Sequence, residues 1–197
     1  MVARGAPSRR TPAPGAPRPA TPDRLRTDRG ALGLRYRSTP MSIPETAAPN
    51  AARFAELPSD RAAPWARFLR PDRVIFPTHA GIVLEEVRAG YARLRLPVRA
   101  EVSQVAGLLH GGALATLLDT AAVPAVATAY PEQPDMVTVS LHIDFCGAVR
   151  DEDAVAEAWV TRATGSLAFV QAEARGAASG ELAATASSVF RVRPRSH

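Results

Sequence analysis

One carboxylate stands out in this chain. Asp119 is the only formally charged residue between Gly111 and Ala129, in a run of Ala, Leu, Val, Thr and Gly that opens on His110-Gly111-Gly112. Burying a carboxylate in such a run is costly unless the group is paired or used. A carboxylate can attack a carbon centre directly or take a proton from water. The glycines at the head of the run add a second capability. The first turn of a helix has N–H groups without helical partners and the positive end of the helix dipole, and glycine lets a ligand approach that backbone closely.

The other reactive residue types point elsewhere. His110 reads as a structural ring that hydrogen-bonds near the helix start rather than as a general base. Cys146 is the only cysteine, so no intrachain disulfide forms and no Cys/His metal spacing exists. With no base partner near it in sequence, it reads as an inert thiol. A cytoplasmic setting suits that cysteine usage. His142 and Asp144 alternate with apolar residues and read as a solvated or interface face. His79 reads as a loop residue.

The elements that must position these groups follow from periodicity. Leu114, Leu117, Leu118, Ala121 and Ala125 recur at helical spacing, and Pro124 is expected to kink or shorten their helix. Residues 81–88 and 91–98 read as strands joined by Ala89-Gly90, a hairpin turn. Met136 to Phe145 alternates Val137, Val139, Leu141, Ile143 and Phe145 against Thr138, Ser140, His142 and Asp144. Three further strands are predicted over 154–163, 167–175 and 182–193. Two strands, one long helix and four strands with short turns imply an α+β domain, its antiparallel sheet wrapped around a central helix.

The ends are compositionally distinct. All 24 basic residues are Arg. Residues 1–40 carry nine Arg against two Asp, whereas residues 41–197 carry fifteen Arg against seventeen acidic residues. The basic charge therefore belongs to the leader, and the domain offers no basic face for nucleic acid. Residues 1–58 read as a disordered Arg/Pro/Ala-rich extension, with Met41 a possible true start. Residues 59–73 read as a short lead-in helix capped by Asp60 or Ser59, with Trp65, Phe68 and Leu69 on one face. No run combines membrane-spanning length with membrane-like hydrophobicity, so no membrane partner is expected. The folded domain is expected over 74–193.

The His110-Gly111-Gly112 opening, the carboxylate nine residues after the histidine and the strand Val137-Thr138-Val139-Ser140-Leu141-His142-Ile143-Asp144-Phe145 resemble the hotdog-fold acyl-CoA thioesterases, in particular the PaaI-like (phenylacetate-pathway type) family. The later segment Leu167 to Glu173 is similar too. The resemblance implies a hotdog fold with a roughly six-stranded sheet. It implies hydrolysis of acyl-CoA thioesters without metal or other cofactor. It places the nucleophile or general base on Asp119 and the thioester-oxygen donor on the Gly111 N–H. It also puts a polar side chain on Gln104, a water-orienting hydroxyl on Thr138 and substrate contacts on His110 and Gly112. It further implies a homodimer or dimer of dimers, with each active site at a dimer interface. Thioester hydrolysis develops negative charge on the carbonyl oxygen, which suits the helix end.

An aryl or medium acyl group would fit an apolar pocket lined by Leu108, Leu109 and Phe145. Two other functions compete. A hotdog hydratase or dehydratase would use a catalytic histidine in a different motif, and a non-catalytic acyl-CoA-binding protein would bind without turnover.

Overall fold

The computed structural model describes residues 50–195; the expectations for residues 1–49, including Met41, lie outside them. Six strands form one sheet in the order β1-β2-β4-β5-β6-β3, every neighbour antiparallel. They are β1 (Val83–Arg88), β2 (Tyr91–Leu96), β3 (Asp135–Phe145), β4 (Ala154–Ala163), β5 (Leu167–Gly176) and β6 (Leu182–Arg193). The helix α3 (Gly111–Thr128) packs against all six strands, most extensively β2, β4 and β5. Its Leu114, Leu117, Leu118, Ala121 and Ala125 meet Leu94, Leu96, Ala156, Val170 and Phe190 in one core. Many of the strand residues in that core are alanines, so the sheet can approach the helix closely on every side. The expected hotdog architecture, a central helix wrapped by an antiparallel sheet, is what the chain adopts.

Pro124 does not shorten the helix. Its ring is buried inside α3, and the helix runs on to Thr128. The Thr128 hydroxyl lies 2.8 Å from the Arg88 carbonyl and accepts the Gly90 N–H at 3.1 Å. The end of the helix is thus tied to the β1–β2 hairpin. Contrary to the expectation from its Ala- and Gly-rich composition, α3 reaches the length and mean hydropathy, 1.3, of a spanning segment. Most of it is buried inside the sheet, however.

The lead-in is more structured than its composition predicts. Residues 50–58 fall in the stretch expected to be disordered, yet Asn50–Arg53 forms a 3-10 turn and buries Ala51. Asn50 donates to Glu157 at 2.9 Å, and Tyr91 donates to the same carboxylate at 2.7 Å. Phe54 stacks on the Tyr91 ring at 5.4 Å. Burial, then the bond to Glu157, pushes the Tyr91 phenol well above its ordinary value. The partners lie far along the sequence, which is why local composition does not reveal these contacts.

The expected single lead-in helix is two short pieces, α1 (Ser59–Ala62) and a 3-10 turn over Ala63–Arg67. Pro64 opens the second piece, lacking the N–H that would continue α1. Pro58 holds the N-cap position, with no side-chain cap from Ser59 or Asp60. Trp65 and Leu69 are buried and Phe68 half-buried, with the Trp65 and Phe68 rings edge to face at 5.3 Å. Arg61 donates to the carbonyls of Thr128 and Tyr130, closing the C-terminal end of α3. His79 ends a one-turn helix, α2 (Phe76–His79), instead of lying in a loop.

Candidate active site

The N-terminal end of α3 is built by three residues. His110 is the N-cap, in extended conformation, and its Nδ1 accepts the Gly112 N–H at 2.8 Å. Its carbonyl accepts the N–H groups of Ala113 and Leu114. Of the first four helical N–H groups, that leaves the Gly111 N–H with no partner among the described residues. The cap fixes the imidazole by hydrogen bonding, as its sequence position predicts, and takes the Gly112 donor out of play. A Cβ on Gly112 would stand 3.0 Å from that imidazole, so the tight cap also depends on a bare residue there.

Asp119 lies on the half-buried side of α3. Its Oδ1 accepts the Thr138 hydroxyl at 3.0 Å. The helix carboxylate and the first part of the following strand are therefore in contact. A break in the strand follows directly after Thr138. Thr138 pairs with Phe190 and Ser140 with Val189, so Val139 is an extra, bulged residue. Before the bulge Met136 and Thr138 share the face of buried Val192 and Phe190; after it, Leu141, Ile143 and Phe145 lie opposite Ser188, Ala186 and Ala184 on that same face. The uniform alternation predicted for 136–145 is thus wrong, because an inserted residue switches the period by one. Val137 and Val139 are instead 59% and 58% exposed. His142 and Asp144 lie 3.3 Å apart and are both well exposed, on the face turned away from the helix.

Phe145 ends β3 beside the helix start. Its Cε1 and Cζ lie 3.6 Å from the point where a Cβ on Gly111 would stand, and the residue is 53% exposed. β3 thus runs alongside α3, with Thr138 at Asp119 and Phe145 at Gly111. Leu141 sits between them on the same face, 39% exposed. It is an apolar site residue that strict alternation assigns to the same row as the outward-facing Val137.

The remaining expected residues are placed as follows. Gln104 is exposed on a loop closed by its backbone bonds to Leu108 and Gly107, and its side chain has no hydrogen-bond partner among the described residues. The structure does not bring it to Asp119 of the same chain. Leu108 is half-buried, but Leu109 is a core residue, 4% exposed, and not a pocket wall. Its N–H is spent on the Val149 carbonyl, and its side chain packs in the core. Among the described residues no cluster of three or more His, Cys, Asp or Glu side chains could hold a metal ion.

In chemical terms the site offers a carboxylate oriented by a hydroxyl, and a free amide donor at the positive end of a helix. The thioesterase superfamily matches residues 106–183, the stretch that carries all of these groups except Gln104. No curated protein matches the chain. Among solved structures, a conserved protein of Pseudomonas aeruginosa is 27% identical, with 61% of this chain and 94% of that one aligned at a TM-score of 0.58. The E. coli PaaI protein from the phenylacetic acid degradation operon is 20% identical over 68% of this chain and 94% of its own, TM-score 0.60. A variant of the phenylacetic acid degradation protein PaaI from Thermus thermophilus is 24% identical over 60% and 97%, TM-score 0.54. Sheet order and helix placement give the chain the hotdog fold that these solved structures share, and its residues 106–183 are similar to the thioesterase superfamily.

Proposed function

We propose that the protein hydrolyses acyl-CoA thioesters carrying an aryl or short to medium acyl group, releasing the free acid and CoA. The observation that carries this reading is the pairing on one helix of a hydroxyl-bonded Asp119 with an unpartnered Gly111 N–H. The thioester oxygen accepts the Gly111 N–H, and the negative charge it gains is held by that donor and the helix dipole. Asp119 then acts in one of two ways. As a nucleophile, its oxygen adds to the carbonyl carbon, the C–S bond breaks, CoA leaves as thiolate, and water hydrolyses the mixed anhydride. As a general base, it takes a proton from the water that adds to that carbon, and the proton passes to the leaving sulfur. The Thr138 hydroxyl holds the carboxylate in place and orients the water. His110 supports the site by capping the helix, and with its Nδ1 committed to that cap it is poorly placed for hydratase chemistry.

Spacing supports a site shared between two copies. Gly111 and Asp119 are eight residues apart on one helix, about 12 Å along its axis. A carbonyl oxygen and the group that attacks its carbon must lie within about 3 Å of their partners. One chain therefore cannot supply both to one thioester. A homodimer, in which Asp119 of one subunit faces Gly111 of the other, satisfies the distance. Gln104, which makes no hydrogen bond to its own Asp119, would act in the same composite site. β3 is one of the two edges of the sheet and, with exposed Val137 and Val139 and its place beside Asp119 and Gly111, is the natural seam. Acyl-CoA substrates and a single free cysteine, Cys146, suit a cytoplasmic location.

The test is thiol release from phenylacetyl-CoA, benzoyl-CoA and hexanoyl-CoA by wild type and Asp119→Ala. Turnover by wild type with a loss of about a hundredfold or more in the variant is the expected result. Tight acyl-CoA binding without thiol release, unchanged in Asp119→Ala, would replace this reading with that of a binding protein.

A further inference from the structure

We infer that Phe145 is the specificity-determining residue for the acyl carbon next to the thioester carbonyl. It admits a flat or unbranched group there and rejects a branched one. The inference rests on the proposed thioesterase activity, because it takes the Gly111 N–H as the donor to the carbonyl oxygen.

Three observations carry it. Phe145 lies on the helix-facing side of β3, opposite buried Ala184, yet about half of its surface is open. It is therefore not a core residue of its own subunit, and on β3, the proposed seam, it faces the site that the two subunits would share. The ring edge, Cε1 and Cζ, stands at ordinary contact distance from the place that a Gly111 side chain would fill. The gap between the ring edge and the backbone bearing the free donor is thus one methyl group wide. The absence of a side chain on Gly111 is what keeps that gap open.

A carbonyl whose oxygen accepts the Gly111 N–H brings its first acyl carbon to this gap. A methylene or the edge of an aryl ring passes through a space one methyl wide, but a carbon bearing an extra methyl does not. Interiors and sites packed at this density penalise a single misplaced methyl group. The ring edge also suits an aryl acyl group, since aromatic pairs favour edge-to-face or offset contact.

The experiment compares kcat/KM for butyryl-CoA and isobutyryl-CoA, which have the same number of carbons and differ only in branching at that position. Benzoyl-CoA is the flat reference. Wild type is expected to favour butyryl-CoA over isobutyryl-CoA by about tenfold or more. In Phe145→Ala that ratio should collapse to within about threefold. Phe145→Leu keeps apolar bulk at the end of β3 and serves if the alanine variant does not fold. It should give an intermediate ratio. An unselective wild type overturns the inference. So does a variant in which both substrates fall in parallel and the ratio holds, since Phe145 would then only support the fold. Failure of wild type to release thiol from any ester overturns the thioesterase reading itself, a result distinct from turnover without discrimination.

Discussion

Gly111 combines two requirements in one residue: it must donate an N–H and carry nothing else. One substitution violates both at once. Proline is well accommodated at the first position of a helix, where its fixed φ suits the turn and its missing N–H breaks no helical bond. His110 precedes it at φ −69° and ψ 137°, the extended conformation that a following proline favours. Gly111→Pro should therefore leave the thermal midpoint within about a degree or two while kcat falls by at least about 10²–10³-fold, the effect of deleting one oxyanion donor, because its ring also enters the gap beside Phe145. Thiol-release kinetics beside a melting curve check it, and an unchanged kcat would show that the donor lies elsewhere. At this scale much of the site is legible in the sequence. Asp119 announces itself as the lone charge in an apolar run, and His110 as the cap of a helix opened by glycines. Thr138 is reached only through family resemblance, because the strand break that puts it in one row with Leu141 and Phe145 has no local signal. Leu109 misleads, since an apolar loop residue looks the same whether it faces a pocket or the core.

The elements are legible wherever one period runs unbroken. The strands predicted at 154–163, 167–175 and 182–193 match nearly to the residue, since each is bounded by clear turn residues. The period misleads at β3, where the extra Val139 is chemically the same as the valine before it, and at Pro124, where burial in the sheet outweighs the lost hydrogen bond. The β5–β6 turn gives a prediction at this level. Glu152 accepts the N–H groups of Ser179 at 3.0 Å and Ala178 at 2.7 Å. The Ser179 amide above all, with the Ser179 hydroxyl and the Ala178 amide, holds its carboxyl below the ordinary value of 4.5. A carboxyl whose value is depressed by folding contributes stability above its unfolded value, and that contribution disappears as pH falls through the folded value. Glu152 is half-buried at the surface, where solvent screening keeps the effect small. Glu152→Gln should melt slightly below wild type at neutral pH, and the gap should close as pH falls below about 4. Thermal midpoints across that range test it, and a gap that widened on acidification would reverse the sign.

At the scale of the whole molecule, contacts across long stretches of sequence decide what composition does not show. Residues 50–58 look like linker, and residues far along the chain, Glu157 and Tyr91 with Arg88 and Ala89, give them a place to pack. The composite site yields the corresponding prediction. Gly111→Pro and Asp119→Ala subunits, co-expressed with different tags and isolated as the mixed dimer, carry one intact and one doubly damaged site. Such a dimer should recover about half of the wild-type rate although each parent is nearly inactive. If each chain worked alone, the mixed dimer would be as inactive as its parents. The bulge at Val139 also has a bearing on descent. Thr138 and Leu141 face the helix on either side of it, so removing Val139 alone would restore a regular strand and leave both residues in their rows. Removing a residue between Leu141 and Phe145 would instead push one end of the strand onto the wrong face. The bulge, Val139 or its neighbour Ser140, is thus the one place between the hydroxyl and the acyl wall where the chain can shorten without separating them. A lineage built on this strand can lose or regain its extra residue there and keep both ends of its chemistry.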